Sequence, residues 1–156
     1  MSALAKVTLG ILGITALFIA ACVPDSRVSN GVSGISEACT ITHIVDGDTL
    51  DLKCAGGPVE RIRIMGYDTP ETYFAECPAE KRLGDTATNR LRQLAATTSV
   101  TRVERHGLDR YQRVLARIWL GGTDLAQTMV SENLAVPYNG GRRIRWCDRL
   151  ANSGNN

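Results

Sequence analysis

The chain has 156 residues, 44% of them apolar, and a formal net charge of +2. That length excludes more than one domain, the apolar share suffices for a packed core, and the near balance of charge gives no sign of a nucleic-acid partner. Lys6, Lys53 and Lys81 are the only lysines and every other basic residue is arginine. Arginine offers phosphate a planar fork of donors, although a GC-rich genome leaves the same imprint.

Lys6 followed by the apolar run Val7 to Ala21 is too short for a membrane-spanning helix, which takes about 20 residues, and fits a signal peptide over residues 1–21. Ile19-Ala20-Ala21-Cys22 resembles a bacterial lipobox, which implies cleavage before Cys22, lipid on its sulfur and a membrane anchor. Ordinary cleavage with secretion and an uncleaved anchor are the alternatives. All three export the protein, to the cell envelope or beyond. Residues 22–37, rich in Ser, Gly and Asn, read as a flexible tether. Export places Cys39, Cys54, Cys77 and Cys147 in an oxidising compartment, with three pairings open.

Leu50, Leu52 and Cys54 alternate with polar residues as a half-buried strand. Ile41, Ile44 and Val45 alternate less well before it, which predicts a bulge, and Asp46-Gly47 is the hairpin turn between. Gly56-Gly57-Pro58 turns into a third strand through Ile62 and Ile64. Pro78 opens a helix with Leu83, Ala87, Leu91, Leu94 and Ala95 at helical spacing. Val100 to Glu104 and Val114 to Leu120 are two further strands, joined by a loop over Gly107 to Gln112. Thr123 is the expected cap of a second helix carrying Leu125 and Met129 inward, and Asn133 its left-handed end. The tail from Gly140 is basic, then polar, and residues 151–156 are expected to be disordered. Three strands, a helix, two strands and a helix fit a β-rich α+β fold, a five-stranded OB-type Greek-key barrel with two to three helices over residues 38–150. An open α+β sandwich fits the pattern almost as well.

Three clusters carry chemistry: Val45-Asp46-Gly47-Asp48-Thr49, Arg61 through Asp68-Thr69-Pro70-Glu71, and Asp109-Arg110-Tyr111-Gln112-Arg113. Asp48 and Asp68 are hard oxygen donors of the kind calcium takes. Pro70 biases Thr69 toward an extended backbone, which aims its carbonyl outward. Glu71 is a third acid, and Arg63 and Arg113 supply charge for a phosphate. Each piece alone reads as a plain turn or a solvated strand face. The weight lies in all three together, in this order.

These segments resemble the three signature segments of the staphylococcal nuclease family, over a span from about Cys39 to Tyr138. The resemblance implies an OB-type barrel, one calcium ion and hydrolysis of DNA, RNA or both. It implies Asp48, Asp68 and the Thr69 carbonyl as calcium ligands, and Glu71 acting on the attacking water. Arg63 and Arg113 would stabilise the five-coordinate transition state, with Tyr111 near a substrate phosphate. The chain departs from the family at Gln112, where glycine is usual, at Asn133 and in its tail. His43 and His106 sit in no motif, which disfavours a histidine acid–base pair. Trp119 and Trp146 are expected to be partly buried rather than base-stacking. The competing class is a catalytically silent OB-type nucleic-acid-binding protein of the envelope. Such a protein has no use for three acids, which repel phosphate. The chain is expected to be monomeric.

Counted back from the Asp46-Gly47-Asp48 turn, Cys39 and Cys54 fall one residue out of register, which a one-residue bulge corrects. The expected disulfides are therefore Cys39–Cys54 and, by remainder, Cys77–Cys147, the second pinning the tail against the barrel.

Overall fold

The computed structural model describes residues 38–153. The expectations for the signal peptide, the tether and Cys22 lie outside the described residues.

The first hairpin joins β1 (Cys39–Ile44) to β2 (Thr49–Cys54), and β3 (Val59–Ile64) adds antiparallel to β2. Leu50 and Leu52 are fully buried, as their alternation requires. The expected bulge falls between Ile41 and His43 and brings Cys39 opposite Cys54. The two are bonded, with Cα atoms 4.0 Å apart. β4 (Gly66–Asp68) continues from β3 past a single residue. The 20-residue helix α1 (Pro78–Thr97) starts on the proline, after an extended Cys77.

β5 (Val100–Leu108) and β6 (Val114–Leu120) form the second hairpin. β5 runs four residues past the expected Glu104, because an irregularity between Arg105 and Leu108, with Gly107 at φ 94°, lets the pairing resume at Leu108. β6 pairs parallel to β3, giving the order β1-β2-β3-β6-β5. The end strands β1 and β5 also contact each other. This is the five-stranded Greek-key barrel of the OB type, within a β-rich α+β fold.

The short β7 (Thr123–Asp124) pairs with the end of β6 and leads into α2 (Leu125–Ser131). The cap of α2 is Asp124, not Thr123: its carboxylate accepts from the Ala126 N–H at 2.9 Å, while Thr123 is held in the strand pair with Leu120. Asn133 takes the left-handed conformation, φ 57°, after α2. β8 (Val136–Tyr138) pairs with β4, a contact with no forecast in the sequence pattern. A third helix, α3 (Trp146–Ser153), covers residues 151–153, which were expected to be disordered. It is tethered at its start by the Cys77–Cys147 disulfide. The cross-link closes 70 residues and, in the disputed chain-entropy account, stabilises the fold by about 4 kcal/mol.

The core lies inside the barrel and under the helices: Leu50, Leu52, Ile62, Ile64 and Ile118 from the sheet, Leu91 from α1, and Leu125 and Met129 from α2. The acidic turn after β4 packs directly on α1, because Gly84 has no side chain. A methyl there would lie 2.7 Å from the Pro70 carbonyl oxygen and 2.8 Å from that of Glu71. Gly47 does the same for the first hairpin turn, where a methyl would meet the Thr69 side chain at 2.9 Å. These two close approaches bring Asp48 and the 68–71 segment to one place.

Candidate active site

The site is built where the β1–β2 turn, the β3–β4 strand and the tail meet. Asp48 and Asp68 are buried, 5% and 1% exposed, and Arg63 between them is 5% exposed. The Arg63 Nη2 atom lies 3.0 Å from Asp48 Oδ2 and 3.1 Å from Asp68 Oδ1. The other terminal nitrogen, Nη1, donates to the carbonyls of Ile64 at 2.5 Å and Tyr67 at 3.3 Å. One guanidinium thus joins the two acids and ties them to the backbone of β3 and β4. Two buried carboxylates this close repel each other unless positive charge compensates them.

Backbone and hydroxyl groups complete the arrangement. Asp48 accepts from the Thr69 N–H at 3.3 Å and from the Thr49 hydroxyl at 3.1 Å. The fully buried Tyr67 donates its hydroxyl to the Gly47 carbonyl at 2.9 Å, which fixes the turn that carries Asp48. Burial raises the pKa of Asp68, and the Asp48 charge adds to this, while the guanidinium groups of Arg143 and Arg63 oppose it. Burial, with Asp48 beside it, pushes Asp46 up to about 6.

Glu71 reaches the cluster through the tail. Arg143 places Nε 3.1 Å from Asp68 Oδ1 and donates from Nη1 to Glu71 Oε1. The backbone of the Glu71 segment is held by the buried Glu80, whose carboxylate accepts from the N–H groups of Glu71 at 3.3 Å and Glu76 at 2.8 Å. Arg113 joins through Thr49, donating to its hydroxyl at 3.3 Å and to Asp109 at 2.7 Å. Burial opposes ionisation of Asp109, but donors from Arg113 and Tyr111 outweigh it and hold its pKa below the usual carboxylate value. Tyr111 is 63% exposed, with the Arg110 and Arg113 guanidinium carbons 4.7 and 5.5 Å from its ring centre.

The structure therefore brings Asp48, Asp68, Thr69 and Arg63 into direct contact. It links Glu71 through Arg143 and Arg113 through Thr49, and sets Tyr111 on the rim. Cys77–Cys147 borders the site from the tail, whereas Cys39–Cys54 closes the far end of the first hairpin. Trp146 is buried, as expected, and donates its indole N–H to Asp68 at 3.4 Å. Trp119 lies between Arg102 and Arg117, 4.6 and 5.6 Å from its ring centre.

Arg143 stands in no motif, so its role is not legible in the sequence. The signal that points to it is indirect: Gly140-Gly141 before it and Cys147 after it mark a tail bent back and pinned. Gln112 sits at φ 64°, a backbone conformation that glycine takes freely and side chains disfavour. Gln112→Gly is expected to stabilise the protein by about 0.5–1 kcal/mol, strain relief outweighing the added freedom of the unfolded chain. Urea unfolding checks this.

A family model described as staphylococcal nuclease homologue matches residues 61–147. A thermonuclease of Staphylococcus intermedius is 32% identical over 113 residues, covering 72% of this chain and 65% of the relative. A thermonuclease of Staphylococcus hyicus is 26% identical over 136 residues, covering 83% and 80%. An uncharacterized endonuclease of Haemophilus influenzae is 30% identical over 111 residues, 71% of this chain and 58% of the relative. The matched stretch runs from the strand that carries Arg63, through the acidic turn and Arg113, to the cysteine that pins the tail. On that match and on its barrel, the chain belongs to the family of staphylococcal nuclease homologues.

Proposed function

We infer that this chain is a calcium-dependent nuclease that hydrolyses the phosphodiester bonds of DNA, RNA or both. The observation that carries this reading is the meeting of Asp48 and Asp68 on one guanidinium nitrogen, with Glu71 tied to Asp68 through Arg143. The donor set suits a hard cation, since Asp48, Asp68 and the carbonyl of the adjoining Thr69 are all oxygen ligands. Asp48, Asp68 and the Thr69 carbonyl would hold one calcium ion, whose chemistry there would be fixed positive charge beside the phosphate. Arg63, released from the two acids once a cation compensates them, and Arg113 hold phosphate oxygens and stabilise them as negative charge builds on the five-coordinate phosphorus. Glu71 orients the attacking water and takes its proton. Tyr111, exposed beside Arg113, contacts a neighbouring substrate phosphate. The names of the relatives support the reading, and since every group in it comes from one chain, a monomer suffices.

Digestion of plasmid DNA and of RNA by the purified domain tests it. Cleavage is expected with calcium and none in excess chelator. Undiminished cleavage in chelator would remove the metal from the mechanism. Binding without cleavage would make the protein a silent nucleic-acid-binding barrel.

We also propose that the protein is exported and held in the cell envelope by lipid on Cys22. The two disulfides support an oxidising compartment. The mature protein is expected in the membrane fraction, and Cys22→Ser in the soluble one. An intact mass without acyl chains refutes the anchor but leaves export standing.

A further inference from the structure

Residues 139–145 leave β8 at Tyr138 and enter α3 at Trp146. Both ends are fixed beside the site. At the near end, Tyr138 pairs with Gly66, and its hydroxyl donates to the Gly141 carbonyl at 2.8 Å. At the far end, Trp146 donates to Asp68, and Cys147 is bonded to Cys77. Gly140 and Gly141, at φ 97° and 91°, turn the chain between these anchors. Arg143 is thereby carried across the acids, bonded to Asp68 by Nε and to Glu71 by Nη1. It lines a cleft of about 200 Å³ together with Asp68, Thr69, Glu71, Phe74 and Trp146.

Glu71 is the one acid of the three that is substantially exposed, with 39% of its side chain open against 8% and 2% for Asp48 and Asp68. Its backbone is held by Glu80, which leaves the carboxylate free to rotate. A guanidinium is a rigid planar fork. With one arm on the buried Asp68, its other arm determines where Glu71 is held. An ion pair this open contributes little to stability, so its consequence is geometric.

We propose that Arg143 is a positioning residue, which sets the Glu71 carboxylate relative to Asp68 so that it meets the attacking water. The effect on rate rests on the nuclease reading; the positioning itself is a property of the folded chain. Lysine replaces it only in part, because an ammonium is a point charge without the fork.

Two measurements test this. In steady-state kinetics on plasmid DNA with calcium, Arg143→Ala is expected to lower kcat by about 10- to 100-fold. KM is expected to change by less than about threefold. The same substitution in a Glu71→Gln background should lower kcat no further. Arg143→Lys should recover only part of the rate, and added guanidinium ion should restore part of it to Arg143→Ala. Arg142→Ala, next to it but outside this contact network, serves as the control. An undiminished kcat in Arg143→Ala overturns the proposal. So does an equal loss in the Glu71→Gln background, which would place Arg143 directly on the phosphate.

The second measurement needs no turnover. In protein carrying ¹³C-carboxylate glutamate, the Glu71 signal is identified by its absence in Glu71→Gln. In Arg143→Ala it should move to the position and width of a freely rotating surface glutamate. An unchanged signal overturns the positioning role. Were the wild type to cut no nucleic acid, the nuclease reading would fall and this signal alone would decide the position of Glu71.

Discussion

Arg63→Ala is expected to lower kcat by about 10³ and to destabilise the calcium-free protein by about 3–5 kcal/mol. Both effects follow from one side chain. Arg63 is 5% exposed and shares its Nη2 atom between Asp48 and Asp68. Its removal leaves two buried carboxylates facing each other with only Arg143, on Asp68, to compensate them, and it leaves the Ile64 and Tyr67 carbonyls without this donor. In the proposed reaction, the same group would supply charge where it develops on phosphorus. Calcium should return part of the lost stability, because a cation bound to the two acids takes over the compensation. It should not return the rate. Arg63→Lys keeps the charge and loses the fork, so it should fall between wild type and alanine in both measurements. Urea unfolding with calcium and with chelator, beside initial rates, separates the two effects. Wild-type stability of Arg63→Ala in chelator would show that the acids do not depend on this arginine.

Glu71→Gln is expected to lower kcat by about 10² or more, with KM nearly unchanged. Glutamine keeps the shape of the side chain, and its carbonyl can still accept from Arg143. What it loses is the ability to take a proton from water, the step the proposed mechanism assigns to Glu71. Stability should change little, because the Glu71–Arg143 pair is open to solvent at both ends, 39% and 41% exposed. Full activity in this variant would remove Glu71 from the mechanism and leave the arginines and the metal as the whole of it.

Much of the frame is legible in the order of residues alone. The alternation through Leu50 and Leu52 gives a strand buried on one face. Pro78 marks a helix start because its missing N–H costs nothing at that position. The first disulfide follows from counting along a hairpin with one bulge. The differences cluster at boundaries, where neighbouring residues compete for the same role. Asp124, not Thr123, caps α2 because the helix begins at Leu125, which leaves Asp124 as the residue whose carboxylate reaches the Ala126 N–H. β5 outruns its hydrophobic pattern because backbone pairing resumes past Gly107. The end of α3 reads as disordered because its residues are polar, but a helix anchored by a buried Trp146 and a disulfide needs little apolar face of its own.

Spacing along the chain marks the strands, the first helix and the two acidic turns, and the three segments taken together, through their resemblance to the family, point to the barrel and the candidate residues. Asp48 lies in the turn that strand alternation sets off before β2, whereas Asp68 ends β4, a strand that alternation does not mark. How those residues meet depends on the folded chain. Arg143 lies 72 positions from Glu71, in a segment with no periodicity. What brings it there is the β4–β8 pairing, two glycine turns and the Cys77–Cys147 bridge. Gly47 is in the sequence a hairpin-turn glycine, and Gly84 stands out in no motif, yet each is the gap through which one part of the site packs on another. Such contacts leave no periodic trace in the sequence, because they depend on distances across the fold rather than on intervals along the chain.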